Sequence, residues 1–245
     1  GRILDIGCAS GQTLKLLSDE PRLFESDFYG VEIARPLYQI CENRKANGEF
    51  GLSNVFFYQR NIMNSDFFEN NSLNTVITMA LTHEIESYMG REHLLQFIKK
   101  IYDMLAPGGV YINYDVSGPS VLDDTVYVVF NEADGENPDD VNQEISGDVL
   151  RDFLTKLSSK ARFRRFTQDF RREEEDTIHP ETETIDGTEY YVLKWSELCE
   201  FLAKKDYVDS WQSEMHEKFC FWNIDNWKQE LEKVFEKYKS TGIKL

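Results

Sequence analysis

The first half of the chain alternates short apolar runs with longer segments whose apolar residues recur at helical spacing. The apolar runs predict five strands, in chain order "ILDI", "FYGVEIA", "NVFFYQRNI", "LNTVITMAL" and "VYINYDV". The clearest predicted helix is "GREHLLQFIKKIYDML", which ends before Pro107. Because strands that alternate with helices form parallel sheets covered by helices, residues 1–118 are predicted to be an α/β domain.

The alternation weakens after Gly118. Residues 131–148 are rich in Asp, Glu and Asn and are predicted to be a solvated loop. The basic stretch "KLSSKARFRRFTQDFRR" is followed by the acidic stretch "EEEDTIHPETETIDG", which is predicted to be a loop or mobile flap. The remaining patterns predict a helix over "LKWSELCEFLAKKDYVDSW", a sixth strand over "EKFCFWN", and a helix over "DNWKQELEKVFEKY" that leads into a seventh strand.

Composition limits the class of protein. The chain has 245 residues, and the 41% that are apolar suffice for a sizeable core. No apolar run approaches the ~20 residues that span a bilayer, and no secretory signal pattern opens the sequence, so we expect no membrane association. The formal charge of −17, from 44 acidic and 27 basic residues, disfavours nonspecific binding to nucleic acid.

Cysteine usage indicates a reducing compartment. The four cysteines form no C-x-x-C pair and have no histidine at zinc-finger spacing, so no metal site is predicted. Reduced thiols are typical of cytoplasmic proteins, and we expect that location. Since Gly1 directly precedes the first predicted strand, we also expect the natural protein to carry a further segment before it.

A loop of small residues, Gly7 to Gly11, joins the first predicted strand to the first predicted helix. Glycine allows unusual backbone angles and close approach of a ligand, and free N–H groups at a helix start favour a partly negative ligand group. The loop therefore predicts a nucleotide-like cofactor. A dinucleotide fingerprint does not fit, because Ala9 and Gln12 occupy the second and third glycine positions.

The stretch "ILDIGCASG" resembles the first motif of the class I S-adenosylmethionine-dependent methyltransferases and departs from it only at Ala9. Three further positions support the resemblance: Glu32 ends the second strand, Asn61 follows the third, and "LAPGGVYIN" leads into the fifth. In this family the acid corresponding to Glu32 accepts hydrogen bonds from both ribose hydroxyls, and a two-oxygen carboxylate suits two adjacent donors.

The resemblance implies S-adenosylmethionine as cofactor and S-adenosylhomocysteine as product. It implies a Rossmann-like, mostly parallel sheet of seven strands with helices on both faces, and a helical or irregular insertion between strands 5 and 6. The domains would be a cofactor-binding core (1–118), an insertion or cap (119–215) and the C-terminal part of the core (216–245). The implied cofactor-binding residues are Asp5, Gly7, Cys8, Ala9, Gly11, Glu32, Ile33, Asn61, Ile62 and Ala80.

Candidate catalytic residues follow the fourth strand. His83 and Glu84 stand where small-molecule O-methyltransferases, which this stretch resembles, have a His-Asp pair whose histidine is the general base. Histidine suits that role because its ordinary pKa lies near neutrality. Glu86 and Asp115 are further candidates for contact with the acceptor, although acids in a first helical turn are favoured by the helix dipole without any function.

The resemblance implies a methyltransferase that acts on a small or medium-sized acceptor, more readily at oxygen than at nitrogen or carbon. One alternative is an RNA or protein methyltransferase that binds through the basic residues of 156–172 and their interleaved phenylalanines. Another is a noncatalytic cofactor-binding subunit. The segment 119–215 is expected to cap the carboxyl edge of the sheet, and its aromatic residues either line an acceptor pocket or form the core of the insertion.

Overall fold

The computed structural model describes residues 1–64, 66, 68–174 and 176–239, with side-chain surroundings up to residue 234. The chain divides into two compact units. The first consists of Gly1–Asp115 and the chain from Gln229 onward, and the second of Val116–Lys228. The units thus separate after residues 115 and 228, whereas the sequence pattern divides the chain after 118 and 215.

The first unit is an α/β domain. Its strands are β1 (Arg2–Ile6), β2 (Asp27–Glu32), β3 (Asn54–Gln59), β4 (Leu73–Met79) and β5 (Leu105–Tyr114), all parallel, in the order β3-β2-β1-β4-β5. Its helices are α1 (Gln12–Ser18), α2 (Arg35–Ala46), α3 (Thr82–Met89) and α4 (Arg91–Met104). This arrangement confirms the predicted Rossmann-like α/β fold, and each of the five apolar runs of the first half overlaps a strand.

The order of these strands decides where a ligand can bind. From β1 the chain moves outward through β2 and β3 and then returns to the other side of β1 with β4 and β5. In open α/β sheets such a reversal opens a crevice at the carboxyl ends of the two strands concerned. The loop after β1 (residues 7–11) and the turn after β4 (residues 80–82) therefore lie at the edge where a ligand is expected.

The predicted number of seven strands is not exact: within the described residues this sheet has five strands. The segment 217–223, predicted as strand 6, is not a strand, because its polar backbone groups bond outside any ladder. The carbonyl of Glu217 accepts from Lys204 Nζ at 2.7 Å, and the N–H of Cys220 donates to Glu200 Oε1 at 2.6 Å. The predicted start of strand 7 falls in 240–245, outside the described residues.

The second unit has its own helices and sheet. The helices are α5 (Gly147–Lys156), α6 (Ser159–Asp169), α7 (Trp195–Lys204) and α8 (Trp211–Glu214), and α9 (Ile224–Lys239) begins here. An antiparallel sheet of β6 (Thr125–Val128), β7 (Glu181–Ile185) and β8 (Thr188–Lys194) has the order β6-β8-β7. The insertion was predicted to be helical or irregular, and in addition to its helices it contains this three-stranded sheet.

The hairpin of β7 and β8 replaces part of the predicted acidic loop. Asp186 and Gly187 form its turn with φ angles of +49° and +78°, and two consecutive residues with positive φ are typical of the tight turns that join antiparallel strands. The local signal was present in the sequence as Asp-Gly flanked by "TETI" and "TEYYV". It was obscured because β7 is exposed along its whole length and so lacks an apolar alternation.

Aromatic residues form the core of the second unit. Phe130, Phe201 and Trp211, three of the aromatic residues that were candidates for an acceptor pocket, are buried together in it. Tyr127 and Tyr207 are half exposed. In the part of the chain that the structure describes, no helix is long and apolar enough to cross a membrane.

Candidate functional site

The loop after β1 requires glycine at both ends. Gly7 and Gly11 have φ angles of +70° and +73°, a region that other residues rarely adopt. A Cβ atom at Gly7 would lie 3.2 Å from the Leu81 side chain, and one at Gly11 would lie 3.2 Å from Phe57. Ala9 also has a positive φ of +46°, so the one departure from the family motif still adopts a glycine-like backbone conformation.

Glu32 holds two loops at the crevice. Its Oε2 atom accepts a hydrogen bond from the Ala9 N–H at 2.9 Å, and its Oε1 atom accepts one from the Ala34 N–H at 2.7 Å. The residue is 7% exposed. Since each carboxylate oxygen has two lone pairs, these contacts leave acceptor capacity on the carboxylate.

Asp5 lies at the end of β1 beneath this loop and is almost fully buried. Burial, with a smaller contribution from the negative charge of Glu32, raises the pKa of Asp5 to about 7. A carboxyl group that keeps its proton near neutral pH limits the negative charge beside Glu32, and so reduces the repulsion between the two acids.

An apolar cleft opens at the same edge of the sheet. Four of the predicted cofactor-binding residues line it: Gly7, Ile33, Asn61 and Ile62. The Asn61 Oδ1 atom accepts a hydrogen bond from the Met63 N–H at 2.9 Å. An apolar cleft with a few polar groups suits a flat heteroaromatic ring.

The far wall of this cleft consists of residues that the sequence motifs did not single out. Leu81, Ile85 and Met89 come from α3 and the turn before it, and His93 and Phe97 come from α4. The apolar periodicity of α4 predicted a buried face, but periodicity cannot tell which element that face will meet. These residues become neighbours of the Gly7 loop only through the pairing of β4 with β1.

The other predicted cofactor-binding residues are not among those that line the cleft. The Cys8 N–H donates to the carbonyl of Val31 at 3.2 Å, and its buried thiol lies beside that of Cys41, whose Sγ donates to the carbonyl of Ala9 at 3.1 Å. The contacts of Cys8 therefore stabilise the conformation of the loop. Ala80 is exposed at the end of β4 with a φ of +50°.

His83 forms a close pair with Asp115. Its Nδ1 atom lies 2.6 Å from Asp115 Oδ1, and the two side chains are 8% and 3% exposed. Asp115 Oδ2 also accepts from the N–H groups of Thr82 and His83, at 2.7 and 3.1 Å, and so caps the first turn of α3. Burial opposes the charge on Asp115, but the hydrogen bonds from His83 and Thr82 outweigh it and lower the pKa of the carboxyl group.

The neighbouring acids do not share this arrangement. Glu84 is exposed on α3. Glu86 forms a two-pronged pair with Arg91, whose Nη2 and Nε atoms lie 2.8 and 2.9 Å from its two oxygens. Glu86 thus links α3 to the start of α4, and Asp115 is an acid that contacts the His83 ring.

The basic stretch 156–172 is largely used inside its own unit. Arg162, Arg164 and Arg165 each donate to two main-chain carbonyls at 2.7 to 3.3 Å. The interleaved phenylalanines, Phe163, Phe166 and Phe170, are buried in the core of the unit. The buried phenylalanines therefore do not supply the exposed aromatic side chains on which nucleic-acid bases stack.

Within the described ranges, no group of three or more His, Cys, Asp or Glu residues is arranged to hold a metal ion. The four cysteines, Cys8, Cys41, Cys199 and Cys220, are all free thiols.

One family model matches most of the first unit. Residues 3–109 match a family model described as a methyltransferase domain. The match covers less than half of the chain and includes every predicted cofactor-binding residue as well as His83. No curated protein matches the chain.

Several solved structures resemble part of the chain. The YcgJ protein from Bacillus subtilis is 19% identical, with a TM-score of 0.39 over 49% of this chain and 45% of its own. The CcbJ methyltransferase from Streptomyces caelestis is 16% identical, with a TM-score of 0.40 over 54% of this chain and 51% of its own. Geranyl diphosphate C-methyltransferase from Streptomyces coelicolor A3(2) is 15% identical, with a TM-score of 0.39 over 47% and 40%. The chain spans about half, or less, of each of these proteins.

Proposed function

We propose that residues 3–109, which match a family model described as a methyltransferase domain, form a class I S-adenosylmethionine-dependent methyltransferase domain, and that the protein methylates a hydroxyl group of a small or medium-sized acceptor. S-adenosylmethionine is the cofactor of the family. When bound, it supplies an electrophilic methyl group, so the protein needs only to align the acceptor and remove its proton.

The residues at the crevice fit this cofactor. A Cβ atom at Gly7 would contact Leu81. Only glycine at this position therefore leaves the loop backbone open to a ligand. Glu32 has the lone pairs to accept the two ribose hydroxyls while it holds Ala9 and Ala34. Ile33 and Ile62 line the apolar cleft and would pack against the adenine ring.

The pairing of His83 with Asp115 carries the proposal for oxygen as the methylated atom. His83 Nδ1 lies 2.6 Å from Asp115 Oδ1; because an ionised carboxylate only accepts, Nδ1 donates its hydrogen to Asp115, and we assign the role of base to Nε2. In this role Nε2 takes the proton of the acceptor hydroxyl as the oxygen gains the methyl group. Asp115 then stabilises the imidazolium that forms, as a carboxylate does for the base of a catalytic triad.

Replacing the histidine tests this role. His83→Asn keeps a donor toward Asp115 but has no basic nitrogen, so turnover of a hydroxyl acceptor should fall by ~100- to 10,000-fold with cofactor affinity almost unchanged. The measurement is transfer of a radiolabelled methyl group from S-adenosylmethionine to a panel of alcohols, phenols and amines. The exposed His179, in the second unit, supplies the control His179→Asn.

Two results would overturn the proposal. Full turnover in His83→Asn would show that His83 is not the base. Methylation of amines in preference to alcohols and phenols would show that oxygen is not the acceptor atom. A small-molecule acceptor is preferred to RNA because the arginines of α6 donate to carbonyls of their own unit.

A further inference from the structure

Behind the His83–Asp115 pair lies a row of hydrogen-bonded side chains that spans β4, β5 and α3. Tyr111 Oη and Thr78 Oγ1 are 2.9 Å apart, and Thr78 Oγ1 lies 2.9 Å from Asn113 Oδ1. Asn113 Nδ2 lies 3.2 Å from Thr82 Oγ1, which is 2.6 Å from Asp115 Oδ2. Thr78 and Thr82 are completely buried.

The charge of Asp115 fixes the direction of every bond in this row. An ionised carboxylate only accepts, so the single hydrogen of the Thr82 hydroxyl points to Asp115. Thr82 Oγ1 must then accept from Asn113 Nδ2, which turns the amide oxygen of Asn113 toward Thr78. The Thr78 hydroxyl donates to that oxygen, and Tyr111 therefore donates to Thr78.

We propose that Tyr111, Thr78, Asn113 and Thr82 are positioning residues, a directed chain of donors that holds Asp115 as an anion and, through it, holds the His83 ring with the proton on Nδ1. The inference rests on the proposed function for its catalytic meaning, since a base needs Nε2 without a hydrogen. Hydrogen bonds in a row polarise one another, so the effect of the distant donors adds to that of Thr82.

The row of hydrogen bonds explains the residue types at these positions. Asn113 must donate on one side and accept on the other, which an amide does and a carboxylate does not. Thr82 has the same duty with a single hydroxyl. Capping of α3 by Asp115 requires only the main-chain N–H groups of Thr82 and His83, so a merely structural role would not need the Thr82 hydroxyl.

The test measures Asp115 and His83 directly and needs no acceptor. Thr82→Val removes the hydroxyl donor with little change of shape, and Thr82→Ser retains it. In the full chain, carbon-13 NMR of the carboxyl groups follows Asp115 and nitrogen-15 NMR follows the His83 ring. Because a donor to the charged form is lost, Thr82→Val should raise the titration midpoint of Asp115 by about one to two pH units, and Thr82→Ser should restore it.

Asn113→Leu supplies a second variant that acts one step further back, where we expect a smaller shift in the same direction. Thr75→Val, on the same strand as Thr78 but outside the row of hydrogen-bonded side chains, is the matched control and should leave both signals unchanged. Unchanged Asp115 and His83 signals in both Thr82→Val and Asn113→Leu would overturn the inference. If these signals shift while His83→Asn keeps full turnover, the inferred positioning role is supported and the proposed role of His83 as general base is contradicted.

Discussion

The main-chain N–H of Ala9 donates to the carboxylate of Glu32 at 2.9 Å, across 23 residues of sequence. The second oxygen of the same carboxylate holds the N–H of Ala34. Glu32 therefore ties the loop after β1 to the loop after β2, in addition to the contact with ribose that we propose.

Replacement of Glu32 should weaken both functions. Glu32→Ala is expected to lower the affinity for S-adenosylmethionine by ~1.5–3 kcal/mol, the range for hydrogen bonds to a charged group, and calorimetric titration measures it. Glu32→Gln keeps one oxygen and should lose less. Glu25→Gln, at an exposed position near the start of β2, serves as control. Equal affinities for the Glu32→Ala variant and the unaltered protein would contradict the assignment.

Gly11 should tolerate a methyl group less well than Gly48, although both have a φ of +73°. The left-handed conformation alone costs roughly 1–2 kcal/mol for a residue with a Cβ atom. At Gly11 that atom would also lie 3.2 Å from Phe57 and 3.3 Å from Cys41, whereas at Gly48 it meets nothing within 4 Å.

Urea denaturation of Gly11→Ala and Gly48→Ala separates the two costs. We expect Gly11→Ala to be the less stable variant and to bind S-adenosylmethionine more weakly, and Gly48→Ala to bind it normally. Equal losses of stability would show that the packing around Gly11 yields to the added atom.

Asp5 should make the stability of the protein depend on pH. Its folded pKa of about 7 lies above the ordinary value of 3.8, so the folded state retains a proton that the unfolded state releases. Its contribution to the free energy of unfolding is therefore complete below pH 4 and declines as the pH rises to 7, by at most about 4 kcal/mol.

Asp5→Asn removes this titration with little change of shape. Between pH 5 and pH 8 the unaltered protein should lose more stability than the variant, as measured by urea denaturation at each pH. Parallel losses in the two proteins would mean that Asp5 is ionised when folded.

Lys204 should be essential to the second unit. Its side chain is fully buried, pairs with Glu200, donates to the carbonyl of Glu217 at 2.7 Å and lies over the rings of Phe170 and Phe219. Lys204→Met would leave the buried Glu200 carboxylate without its cation, which typically costs about 3–5 kcal/mol.

The neighbouring Lys205, which is partly exposed and pairs with Asp206, provides the control for urea denaturation. Lys205→Met should change stability by less than about 1 kcal/mol. The added change Glu200→Gln should recover part of the loss in Lys204→Met, because it removes the unpaired charge. A loss as small as that of Lys205→Met would contradict a structural role for the buried pair.

Local sequence determined the first unit well. The apolar runs predicted β1 to β5 in order, because strands of a parallel sheet carry runs of apolar side chains and the segments between them carry apolar residues at helical spacing. The glycines at positions 7 and 11 were informative for the same reason: backbone angles with positive φ are a local requirement that few residues meet.

Tertiary structure alone decided the partners of the polar groups. His83 lies beside Glu84 in sequence but pairs with Asp115, 32 residues away, because the pairing of β4 with β5 brings their carboxyl ends together. The apolar stretch around Cys220 resembles a strand, yet its N–H bonds to Glu200. Apolar periodicity is a local property of the sequence. A buried polar group, in contrast, must form a hydrogen bond with a partner that is buried beside it, and only the tertiary structure determines which residue that is.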